Sequence, residues 1–253
     1  VMVPLPPEPA PDSAALTGTQ PIETQPTETQ PTPAATVVPL RDGPGGLEVL
    51  LLRRNARGVF GGMWVFPGGQ VDAGDRADSV PLDGEDAEIA GARRAAIREA
   101  REEAGLHLQE QDLVTLSFWI PPPDAPRRFA TWFFLAEASG EVVIDEGEIH
   151  DHQWLYPRAA MAARDAGDVE MAPPTFTTLW WVARHADVES ALEAAGSRPP
   201  ERFATHLGFS SDRKLAATLW EGDAGYDDAD VEKPGPRRRL WMDPGAWRVE
   251  IDG

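Results

Sequence analysis

Glu99, Glu102 and Glu103 stand within five residues of one another in the stretch Arg98-Glu99-Ala100-Arg101-Glu102-Glu103-Ala104-Gly105-Leu106. In a helix, at about 100° per residue, the three carboxylates share an arc of roughly 100° on one face. Glu99 and Glu103 are then a like-charge pair at i, i+4, which is mildly destabilising. All three also crowd the last turn, where the helix dipole already presents negative charge. Local rules would place Lys or Arg there, and a sequence that breaks a local rule often does so for a site. Three carboxylates on one turn suit a hard cation such as Mg²⁺ or Mn²⁺. The competing interpretation is a solvated acidic face, partly compensated by Arg94, Arg98 and Arg101.

The elements that must position these side chains are legible around them. Glu85 to Ala104 lacks proline, is rich in Ala, Arg and Glu, and meets Gly105, a suitable C′ residue, so a helix is expected there. Upstream, Gly58, Gly61, Gly62, Gly68 and Gly69 form a Gly-rich stretch able to approach the helix closely. Thr36 to Leu40 and Leu47 to Arg53 are aliphatic runs around Asp-Gly-Pro-Gly-Gly, which predicts a hairpin or close strand pair. Strands are also expected at Val114 to Ile120, Phe129 to Ala136 and Gln153 to Tyr156, the middle one buried on both faces. Helices are expected at Ala159 to Arg164, Pro174 to Arg184 and Val188 to Ala195. Short strands follow at Leu215 to Trp220, Arg239 to Met242 and Trp247 to Ile251. This mixture predicts an α/β or α+β sandwich, a mixed sheet packed between helices.

Composition narrows the function. A length of 253 residues with 42% hydrophobic residues, nine Trp and nine Phe supports a packed domain. The first 34 residues, with the repeat TQPIE, TQPTE, TQPTP, offer almost nothing to bury and are expected to form a disordered arm. Residues 35–195 are expected to form the catalytic domain, and 196–253 a C-terminal extension packed on it. A net charge of −19 argues against binding a nucleic-acid polymer. No apolar run is long enough to span a bilayer and no signal peptide opens the chain, so no membrane partner is expected. The absence of cysteine excludes disulfides and zinc-thiolate sites and fits a cytoplasmic location. A homodimer is left open.

Arg98 to Leu106 resembles the second half of the Nudix box, the signature of metal-dependent hydrolases of diphosphate linkages. Gly69-Gln-Val-Asp-Ala-Gly-Asp75, preceded by Phe66-Pro67-Gly68, resembles its first half. Two departures stand out. Asp75 occupies the place of a Glu, and 22 residues rather than seven separate it from Arg98. The added stretch, roughly Arg76 to Asp86, reads as an inserted loop. A long split box is similar to the acyl-coenzyme A diphosphatase branch. So are Leu47 to Arg54, Met63 to Asp72, Arg128-Phe-Ala-Thr and Ala172-Pro-Pro-Thr-Phe176.

The resemblance implies roles for individual residues. Glu99, Glu102 and Glu103 would hold Mg²⁺ or Mn²⁺, with the Gly68 carbonyl completing the set and Glu148 as a further carboxylate, Glu146 its fallback. Arg98 would orient the glutamates through a salt bridge. Arg54 and Arg128 would meet substrate phosphates, with Arg53 and Arg127 beside them as further candidates and a structural ion pair as the alternative at each. The substrate implied is coenzyme A or an acyl-coenzyme A. ADP-ribose, a reduced dinucleotide or another nucleotide remains an alternative, as does a module that binds a nucleotide without hydrolysing it. Phe60, Trp64, Phe118 and Trp119 could stack on a base or simply fill the core. His150 and His152 resemble a metal pair only superficially. Arg237-Arg238-Arg239 reads as a solvated basic turn that could also meet a phosphate.

Overall fold

A computed structural model describes residues 30–56, 60–82 and 84–252. Most of the repeat arm therefore lies outside the described residues. The aliphatic runs form β1 (Thr32–Gly43) and β2 (Gly46–Arg54), an antiparallel pair that turns at Gly43 and Gly46. Strand β1 starts four residues earlier than expected. Thr32 and Pro33 already pair with the strand at Phe129–Glu137, and the Pro33 carbonyl accepts from Val71 N–H. The arm thus ends before Thr32, because its last residues find backbone partners that composition does not reveal.

Two short strands, β3 (Trp64–Val65) and β4 (Gly68–Gln70), lead into helix α1 (Ala73–Ala77) and then α2 (Ala87–Ala104). Next come β5 (Val114–Ile120), β6 (Phe129–Glu137) and β7 (Ile149–Leu155). Helices α3 (Pro157–Ala166), α4 (Pro173–Val182) and α5 (Val188–Gly196) follow. The chain closes with β8 (Glu201–Phe209), β9 (Leu215–Trp220), β10 (Arg238–Asp243) and β11 (Ala246–Ile251). The strands join in the order β11-β10-β9-β8-β5-β6-β1-β2-β3, with β4 on β1 and β7 on β2. The β1–β6 and β5–β8 pairs are parallel and the others antiparallel. The fold is the expected mixed sheet between helices.

Period-two alternation assigns the two faces. Val37, Leu50, Leu52, Phe134 and Ala136 face α2, whereas Val38, Val49, Leu51, Phe133 and Leu135 face α3, α4 and α5. Consecutive residues of β6, Phe133 to Ala136, are buried, as a strand covered on both sides requires. Helix α2 meets the sheet with Ala92, Ala95, Ala96, Ala100 and Ala104. Alanine at these buried contacts, with Ile89 and Ile97 packed beside them, lets the helix axis lie close to the sheet. Gly105, at φ 67°, ends it with N–H bonds from Gly105 to Arg101 and from Leu106 to Ala100, a left-handed stop that spends two orphan carbonyls.

The C-terminal segment both extends the main sheet and packs against α4. Strand β8, which the sequence reading did not anticipate, adds to β5 and carries the main sheet onward through β9 to β11. Trp220, Leu240, Met242 and Trp247 share a core with α4, whose Thr175 to Leu179 are all buried. Three of these, Thr175, Thr177 and Thr178, are small polar residues buried beside Phe176 and Leu179. Among the described residues no helix is long and apolar enough to cross a membrane.

Candidate active site

The last turn of α2 is fixed from three directions. The Val143 and Asp145 N–H groups donate to the carbonyls of Ala104 and Glu103, at 3.0 and 3.3 Å, which satisfies helix-end acceptors and docks the loop before β7. That loop is fastened to the end of β2 as well. Asn55 N–H donates to the Glu148 carbonyl at 2.8 Å, and Asn55 Nδ2 donates to the Gly147 carbonyl at 2.9 Å. From the third side, β4 lies tightly on β1. A Cβ on Gly68 would come within 2.5 Å of the Ala35 carbonyl oxygen, and Thr36 Oγ1 donates to Pro67 O at 2.5 Å. Gly69 makes room for a different neighbour: the Glu99 carboxylate fills the space a Cβ there would need.

Within this frame the glutamates meet arginines. Glu103 is only 4% exposed. Its Oε2 accepts the Gly68 N–H at 2.9 Å and its Oε1 pairs with Arg54 Nη1 at 3.2 Å. The other terminal nitrogen of Arg54 reaches Glu148 Oε2 at 2.7 Å. Arg98 serves a second group. It grips Asp75 through Nε and Nη2, at 3.2 and 2.9 Å, and its Nη1 reaches Glu99 at 2.8 Å and Glu102 at 3.2 Å.

The two groups are electrostatically uneven. Burial pushes the Asp75 carboxyl up, but the Arg98 fork and the Asp72 N–H outweigh it and hold the group below the usual range. Burial raises Glu99, and the charges of Glu102 and Glu148 add to that against Arg98. Glu103 is pushed up to about 7, chiefly by burial, with Glu99 and Glu148 adding and the Gly68 N–H and Arg54 opposing. An open cavity of about 830 Å³ borders this network, lined by Asp75, Arg94, Arg98, Arg101 and Glu102 among others.

Among the described residues, no group of three or more Asp, Glu, His or Cys converges as a ready-made metal set. Arg54 and Arg98 stand between the carboxylates instead. The donor chemistry nonetheless fits a hard divalent cation: carboxylates from α2 and one from the loop before β7. The cradle at Gly69, which any side chain would fill, brings the backbone within reach of Glu99.

The other expected residues sort clearly. The Gly68 N–H donates to Glu103. Arg54, expected at a phosphate, has both terminal nitrogens on carboxylates. Arg128 sits half-buried at the entry to β6, Arg53 and Arg127 are exposed, and His150 and His152 lie along β7, where among the described residues neither belongs to a group of three or more metal-ligating side chains. Trp64 and Trp119 are core residues, whereas Phe60 is 36% exposed and Phe118 stacks on Trp132 at 4.4 Å. Arg237 to Arg239 is not a solvated basic turn. Arg239 is fully buried in a bidentate pair with Asp223, and Arg238 holds Glu201 at 2.8 Å. Gly69, expected in a stretch able to approach the helix closely, does so at Glu99. Asn55 is a tether that nothing local in the sequence marks.

Residues 30–175 match the family model described as the NUDIX domain. No curated protein matches the chain. A solved NUDIX hydrolase from Alicyclobacillus acidocaldarius is similar at 25% identity and TM-score 0.60, over 68% of this chain and 99% of that one. An Ap4A hydrolase from C. elegans is 23% identical with TM-score 0.40, over 60% of this chain and 96% of that one. The NUDIX domain of Shewanella oneidensis NrtR, solved with ADP ribose, is 18% identical with TM-score 0.44, over 62% and 90%.

Proposed function

The chain belongs to the NUDIX family, and we propose that it is a pyrophosphohydrolase of nucleotide diphosphate derivatives that acts at the end of α2. The observation that carries this is the meeting of Glu99, Glu103 and Glu148 with the Gly68–Gly69 turn at one sheet edge. NUDIX hydrolases need a divalent cation, and we assign Mg²⁺ or Mn²⁺ to Glu99, Glu102, Glu103 and Glu148 with backbone oxygen from Gly68. When bound, the cation polarises the diphosphate and lowers the pKa of a coordinated water.

The chain's own groups do the rest. Arg98, locked by Asp75, holds Glu99 and Glu102 in place without touching substrate. Glu148, whose side chain is 61% exposed beside Arg54, takes the proton as water oxygen bonds to phosphorus. The bridging P–O bond breaks and the second phosphate leaves with its electron pair. We assign Arg128, at the entry to β6, to an anionic part of the substrate.

Coenzyme A or an acyl-coenzyme A is the substrate we favour. The support is the split box and the Arg128-Phe-Ala-Thr and Ala172-Pro-Pro-Thr segments, which resemble that branch. A panel of coenzyme A, ADP-ribose, NADH and nucleoside triphosphates, assayed with Mg²⁺, Mn²⁺ and chelator, tests both levels. Metal-dependent cleavage ranked first for coenzyme A is the expected result. A tenfold preference for ADP-ribose or NADH, about 1.4 kcal/mol, would remove the coenzyme A assignment and leave the hydrolase. Tight binding of one compound with no turnover under any metal would instead make the protein a nucleotide-binding module.

A further inference from the structure

Arg54 is aimed by a local irregularity. Strand β2 pairs with β7 in regular antiparallel register until Arg53, opposite Asp151, and then slips so that Arg54 stands opposite Ile149. Such bulges redirect a side chain, and here the redirected one lies beside the residue that precedes Ile149. We propose that Arg54 is a positioning residue. It holds the Glu148 carboxylate beside Glu103 so that the loop carboxylate joins those of α2, and it does not grip substrate. The proposal rests on the hydrolase reading above for its catalytic consequence alone.

Three observations support it. First, the guanidinium is used as a fork, with one terminal nitrogen on Glu103 and the other on Glu148. A planar fork bridges two acceptors in a fixed direction, which a lysine ammonium cannot do. Second, the Glu148 side chain is 61% exposed, and among the described residues its carboxylate has no other hydrogen-bond donor. Its backbone, by contrast, is already tied to Asn55 and, through Asp145, to the end of α2. Loss of Arg54 would therefore free a side chain and leave the loop where it is. Third, a guanidinium engaged by two carboxylates is poorly placed to serve as a phosphate clamp.

The test is a cycle of Arg54→Gln, Glu148→Gln and the double variant, with Arg54→Lys alongside, each examined in two ways. With Mg²⁺ and coenzyme A or ADP-ribose, Arg54→Gln should lower kcat by about tenfold or more and move KM by less than about twofold. Arg54→Lys should recover little. The double variant should be no slower than Glu148→Gln alone, the signature of residues acting through one contact. A KM raised tenfold at unchanged kcat, or losses that multiply in the double variant, would overturn the assignment in favour of phosphate binding. Thermal unfolding of the metal-free proteins supplies a readout independent of turnover. The double variant should lose no more Tm than Arg54→Gln alone, and additive losses would deny the contact itself. If the wild type cleaves no substrate, the hydrolase reading fails while the unfolding cycle still decides the contact.

Discussion

At the end of α2, Arg54 and Arg98 face six carboxylates, those of Asp72, Asp75, Glu99, Glu102, Glu103 and Glu148. In the C-terminal sheet Arg239 faces a single carboxylate, that of Asp223, and both are fully buried. The same side-chain chemistry has opposite outcomes. Asp223 is pushed up by burial, but the Arg239 fork and the N–H groups of Arg238 and Gly225 overcome that and hold it below its usual range. Glu99 and Glu103 stay above theirs. Burial is common to both regions, so the difference lies in the supply of donors. The C-terminal pair is satisfied within the chain, as a structural ion pair must be. The α2 cluster is short of positive charge, the condition that a divalent cation relieves.

Replacing Glu103 by Gln is the sharpest way to separate the two regions. Turnover should fall by a factor on the order of 10²–10³, the scale seen when a charge-stabilising group leaves a reacting centre. Stability should move the other way. Because the folded-state pKa of Glu103 is raised from 4.5 to about 7, its ionisation disfavours the fold progressively across that window, and the penalty is fully present above pH 7. Metal-free Glu103→Gln should therefore match or exceed wild-type Tm at pH 8, with the advantage vanishing near pH 5. A variant that turns over normally, or one that melts well below wild type at pH 8, would refute this account of the cluster.

Arg239→Met should produce the converse. It leaves Asp223 buried without its partner and should cost about 3–5 kcal/mol in chemical denaturation. Turnover of the folded fraction should be unchanged. The pH dependence is also reversed. Asp223 has a depressed folded-state pKa, so its contribution is present above the unfolded value near 3.8 and is lost as pH falls through the folded one. Wild type should thus shed this stability in acid, and Arg239→Met should show a shallower acid transition. Equal acid profiles would mean the pair does not hold the sheet.

How much of this contrast could be read beforehand depended on distance along the chain. The α2 glutamates were legible because their spacing is local and breaks a local rule, and Gly105 marked the helix end. The strands at Val114 to Ile120 and Leu215 to Trp220 were legible from apolar runs with clear boundaries. Strand β8 was not. Its Glu201-Arg-Phe-Ala-Thr-His-Leu-Gly-Phe mixes charge, histidine and glycine, and its parallel pairing with β5 is a tertiary event. Arg239 was misread for the same reason. Three arginines in a row look solvated until Asp223, 16 residues earlier, is folded against one of them. Arg54 and Glu148 are 94 residues apart, so the resemblance could suggest each as a candidate but not the bridge between them.

Two glycines offer a finer version of the contrast. In Gly69→Ala the new Cβ meets the far end of the Glu99 side chain, which can swing away cheaply. Tm should hardly change, while displacement of the carboxylate lowers kcat by about tenfold or more. In Gly208→Ala the Cβ would lie 2.7 Å from Val231 Cγ1 and 2.9 Å from Leu219 Cγ, packed core atoms with nowhere to go. That overpacking should cost about 1–3 kcal/mol at unchanged kcat. If both variants lost stability alone, Gly69 would be a packing residue and the cradle for Glu99 would have no catalytic meaning.

Truncation of the N-terminus gives the smallest expected effect and the narrowest discrimination. Removing residues 1–29 should alter neither Tm nor kcat/KM, since their composition offers almost no apolar surface to bury. Removing residues 1–34 is a different experiment, although it takes only five more residues. Thr32 to Ala34 pair with Phe129 to Thr131, Ala34 also pairs with Gln70, and Pro33 O receives the Val71 N–H. These contacts hold β4, and with it Gly68 and Gly69, against β1, but none of them reaches the C-terminal sheet. The longer truncation should therefore reduce turnover several-fold more than it perturbs the Asp223–Arg239 region, as read by hydrogen exchange of β9 and β10 amides. Were β9 and β10 to lose protection as fast as β4, the two networks would belong to one cooperative unit and their electrostatic independence would be illusory.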